Sequence, residues 1–204
     1  MNQNSDTEAT VFIVDDDPAI RFAMQALMDS VNLRHEIFAS GDEFLENVDD
    51  HRAGCLVLDI RMPGLGGLEL QEELIKHGST LPIIFITGHG DVPMAVDAMQ
   101  KGAVDFIQKP FRDQDLLDRI REALKTDQER REEQQRHAEV AERLARLTNR
   151  EREVFDLVVT GKPNKVIAYE LGVSQRTVEI HRARVMEKMQ ARSLADLVKM
   201  HMTA

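Results

Sequence analysis

Five times within residues 1–124, a short apolar run ends and an amphipathic stretch begins. The runs Thr10–Val14, Leu33–Phe38, Cys55–Asp59, Pro82–Thr87 and Val104–Gln108 have the length and apolar content of strands buried on both faces. The stretches Pro18–Ser30, Ser40–Asn47, Leu65–His77, Val92–Lys101 and Phe111–Leu124 carry helical spacing. Five βα units in sequence predict an α/β domain: a five-stranded parallel, doubly wound sheet with helices on both faces. In such a sheet, sites form beyond the carboxyl ends of the strands, near the switch in strand order.

Polar residues are concentrated at those strand ends. The stretch VFIVDDDPAI places Asp15, Asp16 and Asp17 directly after the apolar residues Val11 to Val14. Three carboxylates there repel one another and lose hydration as they near the core. Asp59 ends the third run, Thr87 ends the fourth and Lys109 follows the fifth, so all of these residues are within reach of one pocket. Asp16 and Asp59 are hard oxygen ligands suited to Mg²⁺, which takes one or two carboxylates and keeps several waters. Asp17 precedes Pro18, and an Asp N-cap followed by Pro starts a helix well. PGLGG (Pro63–Gly67) lacks the Gly-Lys-Ser/Thr ending of a phosphate-binding loop and reads as a turn into the third helix.

Beyond residue 124 the pattern changes. Phe111 to Thr160 contain no Gly or Pro, and Lys125–His137 hold no large apolar residue, which predicts a solvated continuation of the fifth helix. Ala138, Ala141, Leu144 and Leu147 restore helical spacing, either as a pairing stripe between two chains or as packing onto the next domain. Residues 1–124 carry 10 Lys and Arg against 23 Asp and Glu, whereas residues 143–204 carry 12 against 7. An acidic body with a basic end points to a nucleic-acid partner for the basic part. The expected organisation is therefore a domain over 1–124, a helical linker over 125–142 and a second domain over 143–204.

That second domain reads as four helices. Thr148 and Glu151 have capping-box spacing, Gly161 and Pro163 separate two helices, Gly172 makes a turn, and Ser174 caps a long basic helix. Ser193 starts the last helix. On the long helix, Val178, Val185 and Met189 form a buried stripe, while Ile180 lies opposite with Arg176, Glu179 and Ala183. An exposed Ile there suits thymine methyls in a major groove, with a protein-contact surface as the alternative. Cys55 is the only cysteine, no run approaches the roughly 18 residues of a membrane span, and the first ten residues lack the features of a signal peptide. A soluble cytoplasmic protein with no membrane partner is expected.

From about Thr10 to Leu124 the chain resembles the receiver domain of two-component response regulators, which is flavodoxin-like. The resemblance rests on Asp15-Asp16, LVLDIRMPGLGGLEL around Asp59, IIFITGHGD around Thr87 and GAVDFIQKPF around Lys109. It implies that Asp59 is the phosphoacceptor for a histidine kinase. It also implies that Asp16, Asp59 and the Arg61 backbone carbonyl hold Mg²⁺, with Asp15 acting through water. Lys109 would pair with the phosphoryl oxygens, the Thr87 hydroxyl would bond to one of them, and Pro110 would follow a cis peptide. Phe106 stands at the switch position, where many receivers have Tyr; ordinary core packing is the alternative. Arg61 and His89 are candidates for tuning the phosphoryl lifetime.

Leu147–Met189 is similar to the LuxR-type helix-turn-helix domain, and the whole chain to the FixJ branch of the NarL/FixJ regulators. The likeness implies that Glu179, Ile180 and Ala183 face bases. Lys165, Arg176, Thr177, His181, Arg184 and Lys188 are then phosphate contacts, and Arg182 is structural. Phosphorylation would move Thr87 and Phe106, alter the face of the fourth helix and fifth strand, and favour a homodimer that binds double-stranded DNA. A Mg²⁺-dependent phosphatase and a protein-binding adaptor are the competing functions.

Overall fold

The apolar runs form five strands: β1 (Thr10–Val14), β2 (His35–Phe38), β3 (Gly54–Asp59), β4 (Ile83–Thr87) and β5 (Asp105–Gln108). Between and after them run α1 (Pro18–Ser30), α2 (Gly41–Asn47), α3 (Gly67–Lys76), α4 (Val92–Gln100) and α5 (Asp113–Ala145). The computed structural model describes residues 9–49, 52–88 and 92–203. The chain divides into two compact units, Met1–Arg130 and Arg131–Ala204.

In the first unit all strand pairs are parallel, in the order β2-β1-β3-β4-β5. Alternate residues feed opposite faces, as the period of a strand requires. Phe12, Val14, Leu56, Leu58 and Phe85 pack with Phe44, Leu70, Leu74 and Ala98 of α2 to α4. Val11, Ile13, Val57, Ile84 and Ile86 pack on the other face with Met24 and Met28 of α1 and Leu116, Leu117 and Ile120 of α5. Chain direction in the sheet order reverses beside β1, so the β1 and β3 carboxyl ends flank the switch point.

Several element ends differ from the sequence pattern for local reasons. β2 begins at His35 rather than Leu33, because Asn32 turns the chain at φ 53° and the Leu33 N–H still bonds the Met28 carbonyl. α3 begins at Gly67 rather than Leu65, because the PGLGG turn extends to its N-cap, Gly66. α5 does continue through the polar segment, but that segment is not fully solvated. Asp127 is 1 % exposed, and its Oδ2 accepts the Gly54 N–H at 3.0 Å. Arg130 pairs with Asp127 and donates to the Thr80 carbonyl, tying α5 to the starts of β3 and β4. Among 13 polar and charged residues without a large apolar side chain, one buried carboxylate left no periodic signal.

The second unit contains the end of α5 with α6 (Asn149–Val159), α7 (Asn164–Leu171), α8 (Gln175–Met189) and α9 (Leu194–Thr203). Val140 and Leu144 of α5 join Val154, Phe155, Val158, Ile167, Val178, Val185, Met189 and Leu197 in one core. The stripe at the end of α5 therefore packs within this unit, through Val140, Leu144 and partly Leu147, while Ala138 and Ala141 stay exposed. Thr148 and Glu151 form the reciprocal capping box at the start of α6. Gly172 ends α7 at φ 64°, a left-handed turn that favours glycine, and Ser174 caps α8.

Candidate functional site

β1 and β3 run side by side with Val14 opposite Leu58, so Asp15 and Asp59 emerge together at their ends. Asp15 is buried; its Oδ1 accepts the Asp17 N–H at 2.8 Å. Asp16 is exposed beside it. Asp17 caps α1 through the Ala19 N–H, ahead of Pro18. Lys109 arrives from the end of β5, and its Nζ donates to Asp59 Oδ1 at 2.7 Å and Asp15 Oδ2 at 3.1 Å. The Lys109–Pro110 peptide is cis. The second oxygen of Asp59 accepts the Arg61 N–H at 2.8 Å. Thr87 ends β4 and is buried, and Phe106 on β5 is half-buried against the α2–α4 side of the sheet. His89 lies outside the described residues.

Burial raises the Asp15 pKa, against the opposing pull of the Asp17 N–H and Lys109. For Lys109, burial alone would depress the pKa, but its hydrogen bonds to the accepting carboxylates of Asp59 and Asp15 outweigh this and hold it above its ordinary value. The ammonium thus stays charged between two carboxylates. α3 comes close to this pocket from below: a Cβ on Gly67 would lie 2.4 Å from the Asp59 carbonyl oxygen.

The donor set fits Mg²⁺. Two carboxylates converge on one ammonium, a third is exposed beside them, and all are hard oxygen ligands, one of them open to water. Sequence reasoning did not single out Arg21. Its Nη1 donates to the Asp15 carbonyl at 2.7 Å from the first turns of α1. An arginine six residues past the first acid is the only signal, and it does not by itself say which way the side chain turns.

The second unit carries a different surface. Ile180 is 45 % exposed on α8, while Val178, Val185 and Met189 are fully buried. Lys165, Arg176, Ala183 and Arg184 are exposed; Thr177, Glu179 and His181 are half-buried. Arg176 lies 3.5 Å from Glu179, and Thr177 bonds back to Ser174. Arg182 donates to Asn164 Oδ1 at 3.0 Å, joining α8 to the start of α7 as expected of a structural residue.

Lys188 departs from its expected role. Its Nζ donates to Glu151 Oε2 at 2.5 Å and to the Arg146 carbonyl at 3.1 Å. The hydrogen bond from Lys188, then that from the Thr148 N–H, pull the buried Glu151 carboxyl down to about 2. Through these two bonds the half-exposed Lys188 fixes the end of α8 to the capping box of α6. The resemblance placed Lys188 among the phosphate contacts, and a motif match does not reveal a buried acid on another helix.

Residues 11–121 match the response regulator receiver domain family, and residues 145–201 match the bacterial regulatory proteins of the luxR family. Nodulation protein W of Bradyrhizobium diazoefficiens is 49 % identical over 97 % of this chain and 87 % of its own length. Transcriptional regulatory protein FixJ of Azorhizobium caulinodans is 44 % identical over 95 % of this chain and 92 % of its own. Among solved structures, the response regulator StyR superposes with a TM-score of 0.90 at 43 % identity, covering 97 % of this chain and 100 % of that one.

Proposed function

The chain belongs to the response regulators, joining a receiver to a LuxR-type DNA-binding domain, and on that premise we propose that Asp59 accepts a phosphoryl group from a histidine kinase and so controls DNA binding. Response regulators of this architecture are transcription factors rather than enzymes, which sets the phosphatase and adaptor readings aside. Among the described residues, no helix is long and apolar enough to cross a membrane.

One observation carries the proposal: the Lys109 ammonium is shared by Asp15 and Asp59, residues distant in sequence and joined at one rim. An Asp59 oxygen attacks phosphorus in line, the bond from phosphorus to the kinase imidazole nitrogen breaks, and an aspartyl phosphate results. Lys109 then exchanges its bond to the Asp59 carboxylate for one to a phosphoryl oxygen. Such a transfer needs little beyond positioning and charge neutralisation. Receiver domains bind Mg²⁺ at this acidic pocket, and here Asp15, Asp16, Asp59 and the Arg61 carbonyl would hold it. When bound, the ion neutralises charge on the phosphoryl oxygens.

The added group brings about −1.5 to −2 charges next to Lys109 and Thr87. Thr87 bonding to it, with Phe106 moving into the space released, would reshape the α4–β5 face. Val96 and Met99 on α4, with Val104 just before β5, are exposed apolar residues and support that face as the surface for a homodimer. Two DNA-binding domains then read paired half-sites in double-stranded DNA. Glu179, Ile180 and Ala183 face the bases, and Lys165, Arg176, Thr177, His181 and Arg184 contact phosphates. Lys188 is withdrawn from that set.

The test is labelling of the full chain with acetyl phosphate, read by intact mass. Wild type should gain one phosphoryl group and Asp59→Asn none; equal labelling of the two would move the acceptor elsewhere.

A further inference from the structure

Among the described residues, the carboxylates of Asp15 and Asp59 share the ammonium of Lys109, and Asp16 is exposed next to Asp15 in the chain. A second cation stands at the edge of this pocket. Arg21 Nη1 is 2.7 Å from the Asp15 carbonyl oxygen. Asp15 follows Val14, which pairs in register with Leu58, so Asp15 and Asp59 sit on neighbouring strands about 5 Å apart. The guanidinium therefore lies within about one Debye length, roughly 10 Å at 0.1 M salt, of the phosphoacceptor. The β1 strand end is the segment it holds, so its position is fixed relative to the acids rather than free to wander on α1. Arg stays protonated at all relevant pH values, which makes it a permanent charge.

We propose that Arg21 is an electrostatic tuning residue for the phosphorylation pocket, weakening its hold on Mg²⁺ while favouring the approach of an anionic phosphodonor. The inference rests on Asp59 being the acceptor. Without the Arg21 charge, the carboxylates around Lys109 would bind a divalent ion more tightly and repel a dianionic donor more strongly. Arg21 moves the pocket toward balance, and it contacts neither the metal nor the phosphorus. Its effect runs through charge, with the hydrogen bond to Asp15 serving to anchor it.

The experiment uses the full chain as wild type, Arg21→Gln and Arg21→Lys. Mg²⁺ affinity is read by titration calorimetry without any phosphodonor. The rate of labelling is read separately at subsaturating acetyl phosphate, where an Asp59 oxygen displaces acetate from phosphorus. Arg21→Gln should bind Mg²⁺ roughly threefold more tightly and label roughly threefold more slowly at 0.1 M salt, as expected for a unit charge acting on a divalent species at this distance. Arg21→Lys keeps the charge and should match wild type in both. Both differences should vanish at about 1 M salt, where the Debye length is about 3 Å. The proposal is overturned by unchanged Mg²⁺ affinity in Arg21→Gln, by Arg21→Lys behaving as Arg21→Gln does, or by differences that persist at high salt. Failure of wild type to label at Asp59 would sink the acceptor reading instead, and the Mg²⁺ titration would still judge Arg21.

Discussion

Replacing Asp127 by Ala should destabilise the first unit by about 1–2 kcal/mol, although the residue lies in a stretch that looks entirely solvent-facing. Asp127 accepts the N–H of Gly54, a buried donor at the start of β3. Orphaning a buried backbone donor costs about 1–3 kcal/mol. Ala recovers about 0.6 kcal/mol through its better helix propensity. Arg130 retains the Thr80 carbonyl, so the second attachment of α5 is weakened rather than lost. Asp127→Asn keeps a side-chain carbonyl in place and should cost less. Two measurements suffice: urea unfolding of the full chain, and hydrogen exchange at the Gly54 amide. If opening occurs locally, a loss of 1.4 kcal/mol should accelerate exchange at that amide about tenfold. A change within about 0.5 kcal/mol, the range of an ordinary surface substitution, with Gly54 protection unaltered, would refute the reasoning.

Three further outcomes follow from the DNA-binding unit. The Glu151 carboxyl is depressed from 4.5 to about 2 in the folded state, so the stability it contributes is present above about 4.5 and lost as pH falls toward 2. Thermal melts across that window should fall less steeply in Glu151→Gln, and an identical pH profile would mean that the Lys188 pair contributes nothing. Lys188→Met should lower the melting temperature while leaving the salt dependence of DNA binding intact. Lys165→Ala should do the reverse, reducing the slope of log K against log salt by about 1. Loss of a unit slope in Lys188→Met would restore that lysine to the phosphate contacts.

The architecture was legible wherever burial imposed a period. Short, continuously apolar runs followed by amphipathic stretches identified a sheet covered on both faces, and the stripe of Val178, Val185 and Met189 oriented α8 with Ile180 outward. The convergence of Asp15, Asp59 and Lys109 was also readable, because parallel strands deliver their ends to the same side. What escaped notice were single polar contacts between elements. Asp127 meeting Gly54, Arg21 meeting the Asp15 carbonyl and Lys188 meeting Glu151 each join residues separated in sequence without any repeating pattern. In all three the partner includes a backbone group or an acid on another element. A side chain's identity states what it can bond to, while only the fold supplies the neighbour.

The close approach of Gly67 to the acceptor strand has a mechanical consequence. With no side chain between them, the first turn of α3 abuts the Asp59 carbonyl, and the Gly67 N–H bonds the Ile60 carbonyl at 3.0 Å. Interiors packed this tightly have little slack, so a small shift in the acceptor's backbone must push that helix rather than compress a soft layer. A displacement begun at the carboxylate therefore has a stiff exit along α3, separate from the route proposed through Thr87 and Phe106.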